Sequence, residues 1–234
     1  MILVLSGVSG SGKTSACLIA ERMAVVAGIA VGGVLCRAVF EGGRKVGIDV
    51  RNLAGGLDGP AAPFARARLG APSAPPPTGK PAPAFDDADP LVLRYGMWEF
   101  SRAAISAADE ATASFLAAVR AADDGTRRAT TRFLAIVDEI GPMELDRGAG
   151  MTRTLAELDA EAAAPSGALG CLVVARPDIA DRLAIRWSAS KRLAIDGLSY
   201  REAAETAIAA FEYRDPLLRG GYRDGGDGPA VLAV

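Results

Sequence analysis

At 234 residues, half of them hydrophobic and 23% charged, the chain can bury a substantial core, which excludes wholesale disorder. Its 26 basic and 28 acidic residues leave a formal charge of −2, so charge makes no case for a nucleic-acid or membrane-surface partner. There is no histidine, which excludes imidazole metal sites and Ser-His-Asp machinery and leaves any general base to Asp, Glu, Lys, Tyr or Cys.

Met1-Ile-Leu-Val-Leu5 reads as a short buried strand. No cationic segment precedes it, and five apolar residues fall far short of the roughly 20 needed to span a bilayer. A cytoplasmic location with no membrane partner is therefore expected. Cys17, Cys36 and Cys171 form no C-x-x-C pair and sit in apolar segments, as small buried hydrophobes of a reducing compartment do.

After Ser6-Gly7, the positions Ala16, Ala20, Met23, Ala24 and Ala27 recur at helical spacing up to Gly28. Val31 to Phe40 is strand-like, Glu41-Gly-Gly-Arg44 supplies a turn, and Val46, Ile48 and Val50 alternate, which predicts an antiparallel hairpin. Residues 60–90 hold nine of the fourteen prolines, mixed with alanine and without apolar periodicity. They are expected to be an extended surface loop, with an interdomain linker as the competing reading.

Beyond Leu91, Ile105, Ala108, Thr112, Phe115, Val119 and Ala122 lie on one face of a long helix ending at Asp123-Asp-Gly125. Phe133 to Val137 is a second buried-strand run. Met151, Leu155, Leu158 and Ala162 mark another helix, Gly170 to Val174 another strand, and Lys191 to Ile195 a weaker one. Ser199-Tyr-Arg-Glu202 is a capping box that opens the last helix, to about Phe211. The glycine-rich tail, 214–234, is expected to be loosely attached. The alternation predicts a single α/β domain over 1–234, with a mainly parallel, doubly wound sheet whose ligands bind at the carboxyl ends of its strands.

Two motifs fall at such ends. Gly7-Val8-Ser9-Gly10-Ser11-Gly12-Lys13-Thr14 fits G-x-x-x-x-G-K-[ST] between a strand and a helix. The glycines let successive backbone N–H groups converge on phosphate oxygens, and the helix that opens near Lys13 adds its positive end. The nucleotide-binding set is thus Gly7 through Thr14 with the adjoining Ser15. Lys13 is expected to reach the β- and γ-phosphates, and the Thr14 hydroxyl to ligate Mg²⁺. Asp138-Glu139 directly follows the apolar run 133–137. In this context the aspartate is expected to hold Mg²⁺ and the glutamate to polarise a water against the γ-phosphate.

Asp138-Glu-Ile-Gly-Pro-Met-Glu-Leu145 closely resembles the D-E-I-G-x-M-E-L signature of the cancer-related, or thermophile-type, nucleoside-triphosphatase family. Gly32-Gly33-Val34 and the hairpin containing Arg44-Lys-Val-Gly-Ile48 fit the same family. The similarity covers residues 1–55 and about 91–145, and is loose beyond Gly150. It implies a RecA-like P-loop fold with helices on both faces of the sheet, and Mg²⁺-dependent hydrolysis of ATP, GTP and other nucleoside triphosphates to diphosphates. It carries Gly12, Lys13 and Thr14 over as phosphate and metal contacts, and Asp138 and Glu139 as the metal-holding and water-activating carboxylates. Glu144 matches the second glutamate and joins Lys13 and Glu139 as a catalytic candidate, with water orientation, metal support and turn capping all open. The 60–90 insertion and the tail depart from the family.

Two alternatives keep the same phosphate loop. A small-molecule or nucleotide kinase would use Arg182, Arg186, Lys191 and Arg192 as a lid, against a plain solvated face. A nucleotide-controlled switch would use 60–90 as a partner arm. No guanine-reading N-K-x-D follows the Gly170 strand, where Ala175-Arg-Pro-Asp178 stands instead. Arg176 is a candidate charge-stabilising arginine there, beside a surface role. Trp98 and Trp187 are expected to pack rather than to stack on a base. A monomer is favoured.

Overall fold

The computed structural model describes residues 1–68, 84–123 and 132–212. The expected tail, 214–234, and the centre of the Pro/Ala-rich segment, 69–83, lie outside them. Ten described strands form one sheet: β1 (Ile2–Ser6), β2 (Ala30–Glu41), β3 (Arg44–Asn52), β4 (Ala61–Ala67), β5 (Phe85–Asp86), β6 (Val92–Tyr95), β7 (Trp98–Ser101), β8 (Phe133–Val137), β9 (Leu169–Ala175) and β10 (Lys191–Ala194). The helices are α1 (Lys13–Val26), α2 (Arg102–Ala122), α3 (Pro142–Arg147), α4 (Thr152–Ala163), α5 (Pro177–Arg186) and α6 (Tyr200–Glu212).

The strand order is β10-β1-β9-β8-β2-β3-β4-β7-β6-β5. From β10 to β2 every pairing is parallel, and from β2 to β5 every pairing is antiparallel. The sheet is therefore mixed, which corrects the mainly parallel expectation. The hairpin β2–β3 is present, but it is the start of an antiparallel wing.

Part of that wing lies inside 60–90, where a loop was expected. β4 pairs with β3 and β7, and β5 pairs with β6. Proline is compatible with β4 because Pro63 sits at a register shift opposite Asp49, before β7 joins at Ala65. A missing N–H there breaks no ladder on the far side.

Side-chain alternation in the parallel half supplies two cores. Ile2, Val4, Ala135, Val137, Cys171 and Val173 face α2, α4 and α5, packing with Ile105, Leu158 and Leu183. Leu3, Leu5, Leu134, Ile136, Leu172 and Val174 face α1 and α6, packing with Cys17, Ala20, Ala203 and Ala207. Alanine on both α1 and α6 lets those helices approach closely. No described helix is long and apolar enough to cross a membrane.

The helix ends carry specific caps. Ser199 and Glu202 exchange hydrogen bonds as the predicted capping box, with Ser199 N–H donating at 2.8 Å and Glu202 N–H at 3.2 Å. Met151 cannot cap α4, and the buried Asp109 of α2 does so instead, accepting from Arg153 N (3.0 Å) and Thr154 N (2.7 Å). On the other face, Arg51 of β3 grips Glu21 of α1 through two N–H groups and donates to the Gly56 carbonyl at 2.8 Å.

Candidate active site

The predicted loop, residues 7–12, joins β1 to α1. Gly12 is the α1 N-cap with φ 90°, a left-handed conformation that glycine adopts without a Cβ penalty. The Lys13 side chain turns back over the loop, and its Nζ donates to the carbonyls of Gly7 and Val8, each at 2.7 Å. Partial burial lowers the Lys13 pKa, while Glu139 and Asp138 oppose that shift and Arg176 adds to it. These four side chains therefore act on one another.

Asp138 and Glu139 leave β8, which is not a neighbour of β1; β9 lies between them. Asp138 points inward and is buried. Its Oδ1 accepts from the Thr14 hydroxyl at 3.2 Å, and its Oδ2 from Cys36 N–H at 2.9 Å. Burial pushes its carboxyl up to about 7 against both hydrogen bonds. The structure thus joins Thr14 and Asp138, two hard oxygen donors of the type Mg²⁺ takes beside nucleotide phosphates.

β2 supports this arrangement from the far side. Asp138 N–H donates to Val34 O at 3.2 Å. Gly33, at φ 101°, lets β2 close on β8, since a Cβ there would meet Ile136 O at 2.0 Å.

Glu139 is the one non-glycine residue with positive φ (104°) among the described residues. That backbone costs about 1–3 kcal/mol, and such strain persists where the surroundings impose it. Here it turns Glu139 outward between two inward residues, Asp138 and Ile140. The Glu139 carboxylate lies 3.7 Å from Arg176, with both side chains about half exposed. Such an exposed pair contributes about 0–1 kcal/mol to stability, so the contact is free to open. Arg176 sits where β9 passes into α5, and this brings a residue known only as a candidate from sequence to the edge of the site.

Glu144 is placed differently. It is buried, its Oε2 accepts from Gly141 N–H at 2.9 Å, and its Oε1 accepts from Met151 N–H at 3.1 Å. Burial pushes it up to about 7, against those same hydrogen bonds. Both oxygens tie the ends of α3 together, so this carboxylate orders the turn that follows Glu139. Of the three roles left open for Glu144, its two backbone contacts match turn capping.

Three of the four residues of the basic stretch meet carboxylates in exposed pairs. Arg182 pairs with Asp146, Arg186 with Asp159 through two hydrogen bonds of 2.6 Å, and Arg192 with Asp181. α5 itself is anchored by buried Ile179, Ala180 and Leu183. We expect Arg182→Ser/Arg186→Ser to leave nucleotide turnover within a few-fold of the parent, measured by phosphate release. Near-complete loss would return these arginines to the chemistry. Trp187 is buried and donates to Asp159 Oδ1 at 2.8 Å, and Trp98 lies under Lys45, 5.1 Å from its ring centre; both pack, as expected.

One neighbour escaped the sequence reading. The ring of Tyr200, read only as part of a capping box, lies against Gly12, where a Cβ would stand 2.5 Å from Tyr200 Cδ1. No local pattern signals a contact between positions so far apart in the chain.

Comparison with known proteins gives three findings. The family model for the NTPase family matches residues 2–111. A curated relative, the nucleoside-triphosphatase THEP1 of Methanopyrus kandleri, is 31% identical over 147 residues, which is 63% of this chain and 61% of that protein's length. The chain thus matches about three fifths of the relative. The solution structure of a human cancer-related nucleoside triphosphatase superposes with a TM-score of 0.58 over 91% of this chain and 97% of the other, at 18% identity, so the fold is shared. The chain is thus similar to an NTPase family model over residues 2–111 and to a curated nucleoside-triphosphatase, and shares the fold of a solved cancer-related nucleoside triphosphatase.

Proposed function

We propose that this chain is a cytoplasmic enzyme that binds a nucleoside triphosphate with Mg²⁺ and hydrolyses it to the diphosphate and phosphate. The observation that carries the reading is the meeting of Thr14, at the start of α1, with Asp138, at the end of β8, 3.2 Å apart. On this reading residues Gly7–Ser15 are a P-loop, and β10-β1-β9-β8-β2 is its RecA-like sheet. The family comparisons support the same assignment.

Each residue then has a physical task. Backbone N–H groups of the loop receive phosphate oxygens, aided by the N-terminus of α1. Thr14 and Asp138 would hold Mg²⁺, which would supply positive charge against the β- and γ-phosphates. The Lys13 ammonium, held over the loop by the Gly7 and Val8 carbonyls, is placed to exchange them for phosphate oxygens. Glu139 takes a proton from water as the water oxygen bonds to the γ-phosphorus and the bond to the β-phosphate oxygen breaks. The nucleoside diphosphate leaves with that electron pair. Arg176 supplies a second positive charge beside the developing negative one. Glu144 acts at one remove, by fixing the turn that aims Glu139.

The test is phosphate release from ATP, GTP, CTP and UTP, with Mg²⁺ and then with excess EDTA. We expect multiple turnovers with Mg²⁺ and a fall to background on chelation. Undiminished release in EDTA would remove Thr14 and Asp138 from the mechanism.

A further inference from the structure

Tyr200 is half exposed, yet its ring is not loose. It is the first residue of α6, fixed by the capping box of Ser199 and Glu202 and by Ala203, Ala204 and Ala207, which pack α6 onto α1. One edge of the ring rests on Gly12, at the point where the phosphate loop becomes α1. The preceding loop is tied to the same place: Ile195 N–H donates to Ser6 O at 2.9 Å, and Asp196 is near enough to Lys13 to act on its charge. Among the described exposed large hydrophobic residues, Val8 belongs to the phosphate loop and Tyr200 is the aromatic one that rests on it.

We propose that Tyr200 is the nucleobase platform of the site, an inference that rests on the nucleotide reading above. A triphosphate seated in residues 7–14 leaves its nucleoside outside the loop, and Tyr200 offers an aromatic face at that margin. A ring on a capped helix N-terminus with one edge against Gly12 has less freedom to lose on stacking than a ring on an open loop. Stacking suits every base because each has a π-face, so the platform gives affinity with weak base selectivity, stronger for purines than for pyrimidines. The Gly12 contact also explains why glycine is required there beyond its φ: any Cβ would push the ring away.

The experiment compares Tyr200→Ala and Tyr200→Phe with the parent protein, reading KM and kcat for the four nucleoside triphosphates and the inhibition constant of inorganic triphosphate against ATP hydrolysis. Inorganic triphosphate fills the phosphate loop but has no base. Tyr200→Ala is expected to raise KM for ATP and GTP by about 10-fold or more, at near-parent kcat, as loss of one base–aromatic stack does. The inhibition constant of inorganic triphosphate should stay unchanged, the purine–pyrimidine difference in KM should shrink, and Tyr200→Phe should behave as the parent. An equal loss for ATP and inorganic triphosphate would overturn the platform and make Tyr200 a prop for Gly12. Unchanged KM values would overturn it as well. A parent protein that turns over no nucleotide would instead overturn the hydrolase reading, and this inference with it.

Discussion

Glu139→Gln is expected to bind ATP with near-parent affinity and to hydrolyse it about 10²–10⁴-fold more slowly, the usual cost of losing a positioned general base. The substitution keeps shape and one acceptor oxygen while removing the charge that draws the proton. Its backbone strain at φ 104° is untouched, since the strain belongs to the peptide and not to the carboxylate. Affinity depends on the loop, Lys13 and the Thr14–Asp138 pair, whose hydrogen bonds do not include Glu139. Asp138→Asn should behave in the opposite way, weakening Mg²⁺-dependent nucleotide binding together with turnover. Single-turnover hydrolysis beside equilibrium binding of a fluorescent nucleotide separates the two. Near-parent hydrolysis by Glu139→Gln would sink the assignment of the general base to Glu139.

The largest expected effect on stability lies at the Glu21–Arg51 pair. Both side chains are almost fully buried, at 1% and 5% relative exposure, so neither charge can turn to water if the other is removed. Arg51→Met leaves the Glu21 carboxylate stranded beneath α1 and also frees the Gly56 carbonyl. Breaking a buried pair in this way costs about 3–5 kcal/mol. In a protein of this size each kcal/mol lowers Tm by about 2–4 °C, so a fall of roughly 10 °C is expected in a thermal melt. Glu21→Leu/Arg51→Met should regain most of the loss, because two apolar side chains of similar volume replace the pair without leaving a charge. A single variant that melts within about 2 °C of the parent would mean that water reaches the site.

The parts of the fold legible in sequence were those with a strong local signature. The run Ile2–Ser6, the glycine loop and α1 announce one another, and Asp138-Glu139 follows an unbroken apolar strand. Other elements had no such signal. β4 is Ala61-Ala-Pro-Phe-Ala-Arg-Ala67, with one large apolar residue and a proline, so neither alternation nor propensity marks it. β6 and β7 are four residues each, too short for periodicity to speak. α5 opens with proline at its first turn, which reads equally as a loop.

The site divides along the same line. The glycine loop and the acidic pair were legible as motifs, and the structure brings Thr14 and Asp138 together. The Glu144 role was not, because the amides that engage it belong to Gly141 and Met151, whose positions only the turn around α3 determines. Arg176 and Tyr200 reach the site through strand order and helix packing, neither of which has a local spelling.

The position of β9 bears on how the molecule assembles as it emerges from the ribosome. The wing from β3 to β7 is contiguous in the chain, spanning residues 44–101, so its pairings can form from nearby segments. The parallel half cannot. β1 and β8 are joined only through β9, whose last residue is Ala175, and β10 comes later still. A nascent chain that has exposed both Thr14 and Asp138 still lacks the strand that sets them 3.2 Å apart. Until then both edges of β1 and one edge of β8 stand unpaired, the state most open to mispairing or chaperone capture. The meeting of Thr14 and Asp138 therefore arrives in one late step, when β9 enters the slot between β1 and β8.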